Sequence, residues 1–220
     1  MMLLAAFQTL LHRYTEQSDI SIGADIANRN QIETEGLIGF FVNMMVLRVD
    51  VADDPTFRDL LKRVRRISLD AHAHQDLPLE KLVEVLQPER SLSNNPLFQV
   101  VFVLHNQPAP DLEQTGLKIS PIAVDSGMVQ FDLILSMTEI GDELQGHLSY
   151  DIDLFNPATI KQLAKRFQVL LESIVTNPHE RLSNLRLLSE DETSGLSHAN
   201  FPEAMLSQKD FENLVLEIAG

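Results

Sequence analysis

Cysteine is absent from the 220 residues. A disulfide framework, a thiolate nucleophile and a Cys-ligated zinc or iron–sulfur site are thereby excluded. The absence also suits a cytoplasmic location, which we expect. Positive charge is scarce: Lys and Arg number 17 against 32 Asp and Glu, for a formal charge of −15. A field of that sign repels phosphate backbones and anionic lipid, so neither nucleic acid nor a membrane surface is an expected partner. No apolar run approaches the roughly 20 residues that span a bilayer. The opening MMLLAAFQTLLHRY has neither a leading basic residue nor a small-residue cleavage pattern, which argues against a signal peptide. No GxSxG elbow and no GxxxxGK[ST] or GxGxxG phosphate loop occurs, so standard hydrolase and nucleotide-binding readings lose support.

What is present reads as a globular chain, with 44% hydrophobic residues and a mean hydropathy of −0.03. Leu3, Leu4, Phe7, Leu10, Leu11 and Tyr14 recur at helical spacing. That helix starts at residue 1 with no cap or leader, which implies a chain beginning inside a domain. SDISIGADIA alternates as a strand, and FFVNMMVLRVDV is apolar enough for an interior strand covered on both faces. Asp54-Pro55 opens a helix carrying Phe57, Leu60, Leu61, Val64, Ile67 and Ala71. Pro78 starts another, ended by Gln87-Pro88. LFQVVFVL reads as a buried strand, PAPDLEQTG as a loop, and FDLILSMTEI with ELQGHLSYDI as a hairpin around Gly141-Asp142. Asn156-Pro157 is an N-cap pair for a long helix ending near Asn177-Pro178, and LSQKDFENLVLEI is a short closing amphipathic segment. Interleaved helices and strands with a late hairpin predict an α/β (α+β) sandwich with a mixed β-sheet flanked by helices. The chain divides into a lobe, residues 1–188, and an acidic tail, residues 189–220, with one short amphipathic helix.

Three features are candidates for chemistry. His72, His74 and Asp76 carry metal-ligand side chains, but two imidazoles separated by two positions on a helix face apart. The alternative is a helix C-terminal turn with imidazoles near its free carbonyls and Asp76 as N-cap of a helix starting at Leu77 or Pro78. Lys62, Arg63, Arg65 and Arg66 form a basic cluster that is either a solvated helix face or a contact for a phosphate or an acidic carrier. Asn43 sits in an apolar stretch, where an unpaired amide costs roughly 1–3 kcal/mol. It therefore either braces a neighbouring loop or faces a cavity, and Gly36 and Gly39 before it suggest a bend or close backbone approach.

GLIGFFVNMMVLR, HQDLPLEKLVE and ERSLSNNPLFQV, in that order, resemble the last three core motifs of nonribosomal peptide synthetase condensation domains, which run IGxFVNT, HQDxPFE and RDxSRNPLF. ANRN, QFDLILS and YDIDLFNPATI add to the likeness, which covers about residues 1 to 190. Met44, Leu79, Ser91 and Asn94 stand where Thr, Phe, Asp and Arg are usual. The resemblance implies a chloramphenicol-acetyltransferase-like lobe, and a tunnel between two lobes through which carrier-bound phosphopantetheine arms approach. It implies amide formation by attack of an acceptor amine on a donor thioester, assisted by a histidine of an HHxxxDG motif. This chain has no HHxxxDG. The resemblance therefore implies a C-terminal lobe, inactive alone, with Asn43 near the tunnel. The phosphopantetheine arms are then substrates rather than bound cofactors, and no metal is implied. Peptidyl and aminoacyl carrier proteins and the N-terminal lobe are the implied partners, and an uncovered lobe interface would allow self-association. A noncatalytic carrier-binding or scaffold lobe is the alternative.

Overall fold

The computed structural model describes residues 1–29, 31–88, 95–105, 129–141, 143–189 and 192. Helix α1, Met2–Thr15, buries Leu3, Leu4, Phe7 and Leu10, the stripe its periodicity predicts. Glu16 ends it in the left-handed region at φ 57, with its N–H donating to the His12 carbonyl. Strand β1, Asp19–Ile26, buries Ile20, Ile22 and Ala24 on one face. The short helix α2, Ile32–Glu35, precedes strand β2, Asn43–Asp50. Helices α3, Phe57–Ala73, and α4, Leu79–Leu86, follow, and then strand β3, Val100–His105. Strands β4, Leu133–Ile140, and β5, Glu143–Tyr150, form a hairpin with Ile140 opposite Glu143 and Gly141 at φ +63 in the turn. A left-handed turn residue of that kind is where glycine has no Cβ penalty. Helix α5, Pro157–Thr176, is capped by Asn156, whose Oδ1 accepts the Ala158 N–H at 2.9 Å.

The sheet order is β2-β1-β3-β4-β5. The middle strands β1, β3 and β4 are parallel, while β2 and β5 run antiparallel to their neighbours. Helices α1, α3 and α5 share one core with the sheet face that carries Ile22, Leu47, Phe102 and Leu135. At its centre the Phe7 ring lies 6.4 Å from Phe102 and, edge-on, 6.1 Å from Phe167. On the other face Phe98 is buried against Gly23, where a Cβ would fall 2.2 Å from the Phe98 ring. The absent side chain is what lets the ring lie on the strand.

After α5 the chain straps itself across the lobe. Leu182, in a 3-10 turn at Leu182–Asn184, and Leu185 are buried. Arg13 Nη1 donates to the carbonyls of both, at 2.7 and 3.1 Å. Arg181 bridges to Thr56, and the Leu182 N–H reaches the Pro55 carbonyl at 3.1 Å.

The mixed α/β architecture, the hairpin and the Asn156 cap follow the sequence pattern. Three local expectations change. FFVNMMVLRVDV is not an interior strand: its ordered strand begins at Asn43, and among the described residues it pairs only with β1. Its apolar residues alternate, with Met45, Leu47 and Val49 buried and Phe40 lying outside the strand, 92% exposed. The helix before HAHQD is capped by Thr56, whose Oγ1 accepts the Asp59 N–H, rather than by Asp54-Pro55. Asp76 is not the N-cap of α4, since Pro78 takes that position with an extended backbone and no capping side chain of its own. PAPDLEQTG, Ser91, Asn94 and LSQKDFENLVLEI lie outside the described residues.

Candidate functional site

Because β1, β3 and β4 are parallel, their C-terminal ends at Ile26, His105 and Ile140 share one edge of the sheet. The antiparallel β2 starts there, with Asn43 opposite Ile26. Sequence-distant segments meet around this residue. Asn43 Nδ2 donates to the carbonyls of Gln75 at 2.9 Å and Leu77 at 2.8 Å. Its Oδ1 accepts the Met44 N–H at 2.9 Å and, more weakly, the Leu79 N–H at 3.4 Å. Both amide donors and both acceptor positions are thus occupied by this chain's backbone. Leu79 is the first residue of α4, whose leading N–H groups have no intrahelical partner. Asn43 consequently does for α4 what a capping side chain at Pro78 cannot.

Helix α4 and the loop before Asn43 carry apolar side chains outward. Leu37, Ile38 and Phe40 are exposed on the loop, and Leu77, Val85 and Leu86 on or beside α4. No residue of α4 is fully buried. At the same sheet edge, on the helical side, a groove of about 420 Å³ is floored by Ala24, Ile26, Met45 and Phe102, with Ser68 and His72 on one wall.

The histidines are held by their own helix. His72 Nδ1 donates to the Ser68 carbonyl at 2.7 Å and His74 Nδ1 to the Asp70 carbonyl at 2.8 Å. Both imidazoles thus lie against carbonyls four residues back, in the last turns of α3. Among the described residues no three His, Asp or Glu side chains gather to hold a metal. The basic cluster splits in two. Lys62 pairs with Asp59 at 2.8 Å, and Arg63 donates to both oxygens of Asp53 and to the Asp50 carbonyl. The hydrogen bond from Arg63 holds the Asp53 carboxyl below its ordinary range. Arg65 and Arg66 are exposed on the same helix.

One residue of the site escaped sequence reasoning. Arg29, seen only as part of ANRN, lays its guanidinium over the Phe41 ring at 4.3 Å to the centroid. An arginine three positions past the end of β1 and ahead of a Gly-containing apolar loop was the available signal.

A family model described as "Condensation domain" matches residues 1–197. This chain belongs to the condensation-domain family of nonribosomal peptide synthetases. It is 47% identical over 194 residues to a linear gramicidin synthase of Brevibacillus parabrevis, a match covering 87% of this chain and 2% of that protein. It is 41% identical over 190 residues to chondramide synthase cmdD of Chondromyces crocatus, covering 86% of this chain and 5% of that protein. The condensation-family chain thus spans only a small fraction of these curated relatives. Among solved structures, a four-domain nonribosomal peptide synthetase bound to AMP and glycine superposes with a TM-score of 0.79 at 24% identity, covering 86% of this chain and 16% of that one. The X-domain from teicoplanin biosynthesis gives 0.76 at 31% identity, covering 85% and 43%. The fold is that of the chloramphenicol-acetyltransferase-like condensation domains, of which this chain corresponds to the C-terminal lobe. No described helix is long and apolar enough to cross a membrane.

Proposed function

We propose that this lobe forms one wall of the tunnel in which a condensation domain joins carrier-bound aminoacyl and peptidyl thioesters by an amide bond. The observation that carries the reading is the convergence at Asn43, where the end of β1, the outward apolar loop and the start of α4 meet at one sheet edge. In this reading Asn43 acts by holding that wall in shape, because its amide is already saturated. The base or orienting group for the attacking amine comes from an N-terminal lobe bearing HHxxxDG, since this sequence contains no such motif. The phosphopantetheine arms enter as substrates. Arg65 and Arg66, exposed beside the internally paired Lys62 and Arg63, are the residues offered to an acidic carrier surface. The reaction belongs in the cytoplasm, and the lobe alone is inactive.

Condensation is measured with aminoacyl- and peptidyl-carrier substrates, with and without a supplied N-terminal lobe. Product is expected only with both lobes. Turnover by this chain alone overturns the proposal.

A noncatalytic binding lobe is the second reading, favoured by the similar X-domain from teicoplanin biosynthesis, whose complex with OxyB is a solved structure. The exposed apolar residues of the loop and α4 would then meet a protein partner or a second copy. Light scattering and carrier titration separate the readings, and a monomer that binds no carrier leaves the second without support.

A further inference from the structure

The loop that leads into Asn43 has few means of holding a shape. Leu37, Ile38 and Phe40 all point outward, so the hydrophobic effect does not anchor them within this chain. Yet the loop sits on a specific clamp. Asn28, in the left-handed region at φ 50, turns the chain out of β1 and places Arg29 beneath the loop. Arg29 Nη1 donates to the carbonyl of Thr34, in the last turn of α2, and to that of Leu37 at 2.8 Å. A guanidinium is a charged donor, so it adds a charge-assisted hydrogen bond to a Thr34 carbonyl that already accepts the Gly36 and Leu37 N–H groups, and extends the same hold to Leu37. The face of the same guanidinium lies over Phe41. Gly39 lies close against the same ring, since a Cβ there would fall 3.0 Å from Phe41.

We propose that Arg29 is a positioning residue. It clamps residues 31–42 through two carbonyls and one aromatic face, and so fixes both the outward presentation of Ile38 and Phe40 and the point where Asn43 enters β2. The consequence for chemistry rests on the proposed function above. The clamp itself does not. Of the two apparently alike phenylalanines in GFFVN, Phe41 then serves the clamp and Phe40 faces outward. Both bonds leave Nη1, so lysine at position 29 could still donate to a carbonyl but would lose the planar guanidinium that lies over the Phe41 ring while doing so.

The test uses the full chain first. Chymotrypsin cleavage after Phe40 and Phe41 is timed under native conditions, and the side-chain NMR signals of Arg29 are read for the ring-current shift that Phe41 imposes. Arg29→Ala is expected to speed loop cleavage about tenfold, from loss of charge-assisted hydrogen bonds and the cation–π contact. R29K should fall between, and F41L should abolish the ring-current shift. Unchanged cleavage in R29A, an acceleration matched at sites throughout the lobe, or no ring-current shift in the parent chain overturns the clamp. Gly39→Ala crowds the Phe41 ring with a new methyl and is expected to speed cleavage less than R29A. In the two-lobe condensation assay R29A should lower kcat with donor KM within about twofold, with part of kcat restored in R29K. A loosened loop with unchanged kcat supports the clamp while overturning the placement of this loop at the reaction.

Discussion

At the level of single residues, Asn43 shows how one amide can join elements that no local pattern connects. Its partners Gln75 and Leu79 are 32 and 36 positions away. Asn43→Ala strands two carbonyls and weakens the start of α4, so a loss of roughly 1–3 kcal/mol is expected in denaturant unfolding. Faster amide exchange at residues 75–79 should accompany it, and unchanged exchange there would refute the bracing role. Asp132 makes the opposite case. Burial, and then the neighbouring Asp151, push its carboxyl above the ordinary range. The folded chain therefore keeps this proton to higher pH than the unfolded chain does. Stability falls as pH rises between the ordinary and the raised pKa, and stays lower above that window. Asp132→Asn is accordingly expected to raise Tm near neutral pH, with the gain shrinking as pH falls toward about 4, the ordinary carboxylate range. A lower Tm at neutral pH would show that the charge is needed rather than tolerated.

Among the elements, the notch in β1 sets how the NPLF segment docks. Gly23→Ala drives a methyl into the Phe98 ring, and Phe98 also packs on Phe131 at 5.5 Å, so the ring cannot swing aside freely. Overpacking of this kind is expected to cost about 1–3 kcal/mol. The double variant with Phe98→Leu should recover part of that loss, and additive losses would contradict the notch. Element types were legible because periodicity and turn chemistry are local: the α1 stripe, the Gly141 turn and the Asn156-Pro157 cap each need only their own few residues. Placement was less legible. FFVNMMVLRVDV looks like an interior strand because apolar residues occupy both of its faces. Among the described residues β2 is an edge strand, and Phe40 and Val42 lie before it on an outward loop. An apolar run shows that a segment avoids water, without showing whether the cover comes from its own sheet or from elsewhere.

For the molecule as a whole, the strap after α5 ties the first helix to the last described segment. Leu182 is fully buried against the core, and Arg13 on α1 holds its carbonyl from 169 positions away. Leu182→Ala is expected to cost about 2–5 kcal/mol, the range for emptying a well-packed leucine site. Chemical denaturation measures it, and a loss under about 1 kcal/mol would mean that the strap is peripheral. The candidate site divides in the same way. The ordered motifs marked out the family and Asn43 as a candidate, because residue types and their order are carried by the chain itself. The motifs could not say what Asn43 bonds, that Pro78 would displace Asp76 as the cap, or that Arg29 would reach Phe41. Hydrophobic period, charge balance and turn residues act over a few positions and are set once the sequence is written. The partners of a hydrogen bond across 32 or 36 residues, and the choice between edge and interior, depend on which strands come to lie side by side, and only the assembled sheet decides that.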